Sequence, residues 1–212
     1  MKSLIVTGTD TGVGKTVLSS LLMAALPQYR YWKPIQSGIE EGSDSATVQQ
    51  LSECSVNRIE PETYIFTKPL SPHLASAIDG VKIDTSKLIP PYEESLVIEG
   101  AGGLMVPLTD DVLYIDIFQK WNIPVLLACR STLGTINHSL LSIEAMRRRN
   151  IPIFGCVLIG DVNPENKKAI EHYGGVPVVG EIPLLMKIHA GMLRMVYGDH
   201  FQLFDSMLRL SA

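Results

Sequence analysis

The residues with the clearest chemical potential form a glycine-rich run near the N-terminus. Gly8, Gly12 and Gly14 are followed directly by Lys15 and Thr16. Glycines let backbone N–H groups converge on an anion at a helix N-terminus, a lysine reaches the terminal phosphates, and a hydroxyl can ligate Mg²⁺. The run predicts a phosphate loop, although five residues rather than four separate Gly8 from Gly14. A tight turn without a ligand is the alternative, which the strand-to-helix context disfavours.

Two isolated carboxylates are candidates for a metal site beside this loop. Asp44 opens a predicted helix, and Glu99 ends an apolar strand that runs into a second glycine-rich stretch, 100–103. A buried charge is costly without a partner, and Mg²⁺ prefers one or two carboxylates together with phosphate oxygens and water. Thr16, Asp44 and Glu99 could supply such a set. For Asp44, a simple helix N-cap role stays open, because aspartate favours that position.

Lys33 ends another apolar stretch and begins the run Lys33-Pro34-Ile35-Gln36-Ser37-Gly38. A lysine at a strand tip beside a phosphate loop could stabilise negative charge that develops during phosphoryl or carboxyl transfer. An exposed strand-end lysine, and ordinary turn chemistry at Ser37, remain alternatives.

A second helix start could also bind an anion. Gly134 and Thr135 follow an apolar strand and lead into Asn137 and His138. The free N–H groups of a helix start attract a carboxylate, but the sequence alone favours the simpler interpretation that Thr135 is the N-cap. We assign no catalytic role to His138.

Short apolar runs alternate with segments of helical period, the pattern of a parallel sheet covered by helices. The predicted strands are Ser3–Thr7, Tyr31–Ile35, Leu96–Glu99, Val125–Cys129, Ile153–Ile159 and Val176–Gly180. The predicted helices are Lys15–Leu26, Asp44–Cys54, Tyr114–Trp121, Thr135–Arg149, Pro164–Tyr173 and Asp199–Leu210. The segment Asn57–Tyr92, rich in Pro and Ser, is predicted to be the least regular.

Composition narrows the function classes. A chain of 212 residues with 46% hydrophobic content can bury one core, so a single domain over 1–212 is expected. A net charge of -4 argues against nucleic acid and membrane surfaces, and the triplet 147–149 fits a helix C-terminus. Cys54, Cys129 and Cys156 lack zinc spacing and indicate reduced, partly buried thiols. The first apolar run is too short for a signal peptide or a membrane span, so a soluble cytoplasmic protein is expected.

Taken together, these motifs closely resemble the dethiobiotin synthetase family over nearly the whole chain. They occur in order as Gly8-Thr9-Asp10-Thr11, Gly14-Lys15-Thr16, Lys33-Pro34, Ser37-Gly38, Ser71-Pro72-His73, Glu99-Gly100-Ala101-Gly102-Gly103, Gly134, Ile136-Asn137-His138 and Gly180-Glu181-Ile182-Pro183. The resemblance implies an α/β, P-loop NTPase-like three-layer fold with a mostly parallel sheet. It also implies a homodimer that uses ATP and Mg²⁺ to join carbon dioxide to 7,8-diaminononanoate.

The resemblance also implies roles for individual residues. Lys33, Lys15 and Thr11 would be catalytic, Thr16, Asp44 and Glu99 would hold the metal, and Ser37, Lys33, Gly134 and Asn137 would contact substrate. The nucleotide would be bound by Gly12, Val13, Gly14, Lys15, Thr16, Val17, Asp44, Glu99, Gly100, Ala101, Gly102, Gly160, Asp161, Pro183, Leu184 and Leu185.

The sequence departs from the family pattern where the nucleotide base would lie. Many relatives carry Asn-Asp where this chain has Gly160 and Asp161, and some place a Glu where it has Ala190. Looser base selectivity is therefore expected.

Two other function classes are compatible with a phosphate loop. A partition-type ATPase switch would normally carry a signature lysine at the position of Asp10. A non-catalytic ATP-binding module, or the synthetase half of a cobyrinate-type amidotransferase, is the other alternative, and the latter would need room for a glutaminase domain.

Overall fold

The structure, a computed structural model, describes residues 3–40, 42–91 and 95–210. Within these residues, seven strands form one parallel sheet in the order β4-β2-β6-β1-β7-β8-β9. These strands are β1 (Ser3–Gly8), β2 (Tyr29–Trp32), β4 (Ile59–Glu60), β6 (Ser95–Gly103), β7 (Val125–Arg130), β8 (Ile153–Ile159) and β9 (Val178–Ile182). A second, two-stranded sheet pairs β3 (Ile35–Ser37) with β5 (Tyr64–Phe66).

Helices cover both faces of the large sheet. Their bounds are α1 (Lys15–Ala25), α2 (Asp44–Ser52), α3 (Pro72–Ile78), α4 (Tyr114–Trp121), α5 (Thr135–Arg148), α6 (Pro164–Gly174), α7 (Ala190–His200) and α8 (Gln202–Leu210). Side chains on β1 alternate between two buried clusters: Leu4 and Val6 pack with α1, α7 and α8, whereas Ile5 packs with α4 and α5. The predicted three-layer α/β fold is confirmed.

The predicted strand Tyr31–Ile35 is wrong as a single strand. β2 ends at Trp32, and β3 begins at Ile35 in the other sheet. Pro34 lies between them, and it has no N–H to donate to a strand ladder. Its carbonyl instead accepts hydrogen bonds from Thr63 (2.9 Å) and Tyr64 (3.0 Å). The chain therefore leaves the large sheet at Lys33, at its carboxyl edge.

Three further differences from the predicted elements lie near the C-terminal end of the chain, in α7, α8 and β9. The predicted last helix, Asp199–Leu210, is in fact the end of α7 followed by α8, which are separated at Phe201. α7 itself went unpredicted because Gly191 and Gly198 weaken its helical pattern, while burial of Leu193 and Val196 against the sheet stabilises it. The last strand also starts two residues later than predicted, after Pro177, which cannot donate to the ladder.

The segment predicted to be irregular contains β4, β5 and α3 as well as 3-10 turns at Val56–Arg58 and Thr85–Lys87. Tyr92, its last residue, lies outside the described residues. The arginine triplet does lie at the end of α5, as predicted. The three cysteines are free thiols and all are buried, not partly buried as expected.

Candidate active site

The phosphate loop has the predicted position, between β1 and α1. Gly12 and Gly14 adopt φ values of 69° and 98°, a left-handed conformation that is costly for any residue with a Cβ. Gly14 is the N-cap of α1, so the first amides of the helix face the loop. Lys15 donates from Nζ to the Asp10 carbonyl at 3.0 Å and thereby spans the loop. Burial lowers the pKa of Lys15.

Glu99 is a fully enclosed carboxylate, with 0% of its surface exposed. Its carboxylate accepts hydrogen bonds from Ser19 (2.7 Å), Tyr31 (3.0 Å), Thr16 (3.1 Å) and Lys33 (3.1 Å). These donors satisfy a buried charge that would otherwise be very unfavourable. The prediction that Glu99 needs a partner is confirmed, and its partners come from α1, β2 and the turn after β2.

Asp44 is the first residue of α2, but it is not the N-cap. Ser43 has that role, and its hydroxyl accepts a hydrogen bond from the amide of Ala46 at 3.1 Å. The Asp44 carboxylate instead accepts from the Thr16 hydroxyl at 2.9 Å and forms a close ion pair with Lys33. The capping role that the sequence left open is thus wrong.

Lys33 lies between the two carboxylates and is only 4% exposed, so it is not an exposed strand-end lysine. Burial alone would lower the pKa of its ammonium group, but the charges of Glu99 and Asp44 outweigh burial and raise that pKa. Burial would likewise raise the pKa of Asp44, and the Lys33 charge reverses the effect and lowers it. Both groups therefore stay ionised at neutral pH.

The oxygens of Thr16, Asp44 and Glu99 fit a hard cation. Thr16 Oγ1 lies 2.9 Å from an Asp44 oxygen and 3.1 Å from a Glu99 oxygen, so the three groups converge. In the described part of the chain, no three or more His, Cys, Asp or Glu side chains form a group that could hold a metal. The candidate set here is different, because it combines two carboxylates with a hydroxyl. Two carboxylates and a hydroxyl match the protein's usual share of an Mg²⁺ site, whose other ligands are phosphate oxygens and water.

A cavity of about 660 Å³ connects these groups. Most of the predicted catalytic, metal and phosphate-loop residues line it, together with residues of the loop before α3. Its lining is Thr11, Gly12, Gly14, Lys15, Thr16, Val17, Lys33, Gln36, Ser37, Asp44, Pro69, Leu70, Ser71, Pro72, Glu99, Ala101, Gly102 and Val106. The Ser37 hydroxyl is buried and has no hydrogen-bond partner within the described residues.

The predicted base-binding residues lie at the same edge of the sheet but outside this cavity. Gly160 follows β8 with φ 124° and donates its N–H to the Ile182 carbonyl at 2.9 Å, which links it to the residue before Pro183. A Cβ at position 160 would approach the Ser131 hydroxyl to 2.5 Å. Ala190 is buried as the first residue of α7.

The predicted carboxylate-binding helix start also lies outside the cavity. Gly134 is the N-cap of α5 with φ 92°, and none of the described side chains caps the helix. Thr135 is buried one residue further on, so its predicted capping role is wrong. The amides of the first turn, which includes Asn137, keep no side-chain acceptor at the cap.

Sequence reasoning missed several residues that support the site, namely Ser19, Tyr31 and Gln36. Ser19 lies three residues after Thr16 on α1, so it shares a face of the helix with it. A buried serine at that spacing within an apolar helix was the available signal. No comparable signal marks Tyr31, which reads as an ordinary strand aromatic.

A parallel sheet with a phosphate loop between its first strand and first helix defines a P-loop nucleotide-binding protein. A family model described as an AAA domain matches residues 2–190. A ParA family ATPase from Chlorobium tepidum TLS has a TM-score of 0.55 at 10% identity, covering 97% of this chain and 93% of its own. Cell division ATPase MinD from Pyrococcus furiosus has a TM-score of 0.54 at 15% identity, covering 86% and 84%. These structures show the fold alone.

Two relatives are far closer in sequence, and both are named ATP-dependent dethiobiotin synthetase BioD. The protein of Brucella anthropi is 49% identical over 203 residues, 95% of each chain. That of Rhodopseudomonas palustris strain HaA2 is 50% identical over 205 residues, 96% of each chain. The chain belongs to the ATP-dependent dethiobiotin synthetases, a family of carbon–nitrogen ligases that close a ring.

Proposed function

We propose that this enzyme uses ATP and Mg²⁺ to join carbon dioxide to 7,8-diaminononanoate, giving dethiobiotin, ADP and phosphate. The observation that carries the proposal is the convergence of Lys15, Thr16, Lys33, Asp44 and Glu99 on one cavity beside the phosphate loop. The groups proposed to bind phosphate and metal thus line the same cavity as a buried lysine. Two relatives, 49% and 50% identical, are named ATP-dependent dethiobiotin synthetase, which supports the proposal.

The proposed reaction needs no covalent enzyme nucleophile. One amine of the substrate and carbon dioxide form a carbamate, a phosphoryl group from ATP activates it as a carbamic-phosphoric anhydride, and the second amine closes the ring with loss of phosphate. Both intermediates are anionic, so fixed positive charge stabilises them. Lys33 and Lys15 supply that charge, and Thr11 and Ser37 line the same cavity, where they would orient the reactants. Mg²⁺, when bound by Thr16, Asp44 and Glu99, would neutralise phosphate charge.

The decisive experiment measures ADP release and dethiobiotin formation with each substrate omitted in turn. We expect ADP release to require diaminononanoate and bicarbonate-derived carbon dioxide together, and mass spectrometry to detect dethiobiotin in equal amount. ADP release that continues unchanged without diaminononanoate would favour a partition-type ATPase switch. Nucleotide binding with no turnover at all would favour a non-catalytic module.

We also propose that the enzyme works as a homodimer in which the start of α5, at Gly134 and Asn137, binds the substrate carboxylate in the partner's site. Helix N-termini attract carboxylates, and this one lies outside the cavity of its own chain. Leu133, next to it, is fully exposed. A neighbouring chain could therefore receive this surface.

Mixing two inactive variants tests the shared site. If each site takes Lys33 from one chain and Asn137 from the other, a mixture of Lys33→Ala and Asn137→Ala should regain up to about a quarter of wild-type activity, because half of randomly paired dimers contain one intact site. The double variant Lys33→Ala/Asn137→Ala mixed with itself is the control and should stay inactive. Full activity in a chain that remains monomeric would contradict the proposal.

Base selectivity is expected to be loose. Gly160 presents no side chain, and Ala190 offers only a buried methyl group, while the phosphate and metal contacts are the same for every nucleotide. Sites that rely on shape and apolar contact discriminate by only about 1–3 kcal/mol. GTP or CTP should therefore replace ATP more readily than in relatives with the asparagine. Steady-state rates at matched Mg²⁺ decide this, and an ATP preference above about a thousandfold would show that other groups, such as the backbone of 183–185, read adenine.

We propose further that 1–212 forms a single domain that acts in the cytoplasm on small molecules, without nucleic acid or membrane partners. The net charge of -4 supports this. In the described residues, no helix combines the length and the apolar character needed to cross a bilayer.

A further inference from the structure

Gln36 is a buried side chain that lines the cavity together with Asp44, on the proposed metal side, and Ser37, on the proposed substrate side. It is the central residue of the short strand β3, is 5% exposed, and lines the cavity. A buried amide group must be hydrogen-bonded to avoid a desolvation penalty. Its partners therefore indicate what this side chain holds in place.

The two ends of the Gln36 amide have different partners. Its Oε1 accepts a hydrogen bond from the backbone N–H of Asp44 at 3.1 Å. Its Nε2 donates to the Gly38 carbonyl at 2.9 Å and, more weakly, to the Ser37 carbonyl at 3.4 Å. One side chain thus connects the start of α2 with the turn that follows β3.

The hydrogen bond from the Asp44 amide to Gln36 satisfies a backbone donor at the start of α2. The first amides of a helix have no acceptor within the helix. Ser43 caps the amide of Ala46, which leaves that of Asp44 to another acceptor, and Gln36 provides it. Because Asp44 contacts Thr16 and Lys33 through its carboxylate, anchoring its backbone also sets the place of that carboxylate.

The hydrogen bonds from Gln36 Nε2 to the Ser37 and Gly38 carbonyls hold the turn that follows β3. Gly38 has φ 81°, and a Cβ there would approach Pro69 to 2.7 Å, so the turn is tightly packed. Its N–H donates to the Phe66 carbonyl at 2.9 Å, and its carbonyl accepts from Gln36. The buried Ser37 hydroxyl, which has no partner in the described structure, is thereby held facing the same cavity.

We propose that Gln36 is a positioning residue: it holds Asp44 on the metal side and the Ser37–Gly38 turn on the substrate side at a fixed separation. The role rests on the proposed function, in which Asp44 binds the metal and Ser37 contacts the diamine. It acts through these neighbours and does not itself touch a reacting atom. Since its acceptor serves Asp44 and its donor serves the turn, the two effects are separable by mutation.

Two variants separate the effect of Gln36 on Asp44 from its effect on the Ser37–Gly38 turn. Gln36→Met keeps the chain length but removes both the acceptor and the donor. Gln36→Glu keeps an acceptor for the Asp44 amide and replaces the donor with an oxygen that repels the Ser37 and Gly38 carbonyls. Ser43→Ala is the matched control, because it weakens the start of the same helix without touching Gln36.

Three measurements are made on the full-length protein: hydrogen exchange of the Asp44 amide by NMR, Mn²⁺ affinity in the presence of ADP by electron paramagnetic resonance, and the KM for diaminononanoate. In Gln36→Met, loss of buried hydrogen bonds should remove the amide protection, weaken Mn²⁺ about tenfold and raise KM about tenfold. Gln36→Glu should keep the protection and Mn²⁺ affinity but raise KM at least as much. Ser43→Ala should leave KM within about twofold of wild type.

A purely structural role would give a different pattern. If both Gln36 variants lower stability and move Mn²⁺ affinity and KM in parallel, or if Gln36→Met changes neither constant, the proposal is overturned. If Gln36→Met fails to fold, Gln36→Glu alone still tests the proposal, because it should raise KM while leaving Mn²⁺ affinity unchanged. Should the wild-type protein make no dethiobiotin, the proposed function fails, while amide exchange and Mn²⁺ binding still test the tie to Asp44.

Discussion

Replacing Lys33 with alanine is expected to lower kcat for dethiobiotin formation by about 100-fold or more, because loss of one preorganised charge contact typically costs about 3 kcal/mol of transition-state stabilisation. The Lys33 ammonium group is buried in the cavity, 3.1 Å from Glu99 and paired with Asp44. Its surroundings keep it charged, so it can balance the carbamate and the transferring phosphoryl group. Initial rates at saturating substrates would measure the loss.

The fold should survive this change. Glu99 keeps hydrogen bonds from Thr16, Ser19 and Tyr31 after Lys33 is removed, so its carboxylate is not left without a donor. Thermal unfolding of the variant should remain cooperative but occur at a lower temperature than in wild type, because removing one partner of a buried ion pair typically costs about 3–5 kcal/mol. Lys68→Ala is a suitable control, since Lys68 is half-exposed and forms a salt bridge with Glu40, which is itself exposed. Turnover by Lys33→Ala close to that of Lys68→Ala would remove Lys33 from the mechanism.

Replacing Glu99 with glutamine is expected to impair both Mg²⁺ binding and stability. The carboxylate is fully buried and surrounded by four donors. An amide would remove the charge and turn one end into a donor that faces other donors. Removing one partner from a buried ion pair typically costs about 3–5 kcal/mol, so the free energy of unfolding should fall by about 3 kcal/mol, and half-saturation by Mg²⁺ should rise by about 100-fold.

Chemical denaturation and Mg²⁺ titration of turnover measure the two effects of Glu99→Gln. Glu144→Gln is the matched control: Glu144 pairs with Arg148 on the exposed face of α5, and such surface pairs contribute only about 0–1 kcal/mol. A Glu99→Gln protein with the Mg²⁺ dependence of wild type would exclude Glu99 as a ligand. It would leave the carboxylate with a structural role alone.

Local sequence pattern predicted much of this site because each of its parts is marked by its own short stretch of sequence, although Thr16 and Glu99 are 83 positions apart. The phosphate loop lies where a strand meets a helix, and Glu99 lies where a buried strand ends. Parallel strands place their carboxyl ends at one edge of a sheet, so the meeting of Glu99 with the loop was also predictable. The pattern could not separate a capping Asp44 from a metal-binding one, since both begin a helix with the same residue.

The sequence by itself therefore determined the class of fold, the phosphate loop and the candidate charges, because these depend on periodicity, on glycine's left-handed backbone and on residue chemistry. Only the tertiary structure decided which groups pair. Pro34 turns the chain out of the sheet, Lys33 lies buried between Asp44 and Glu99, and Gln36 bonds to the backbone of Asp44, eight residues further along the chain. Such contacts depend on how separate elements pack, and no local signal encodes the distance between two atoms that only folding brings together.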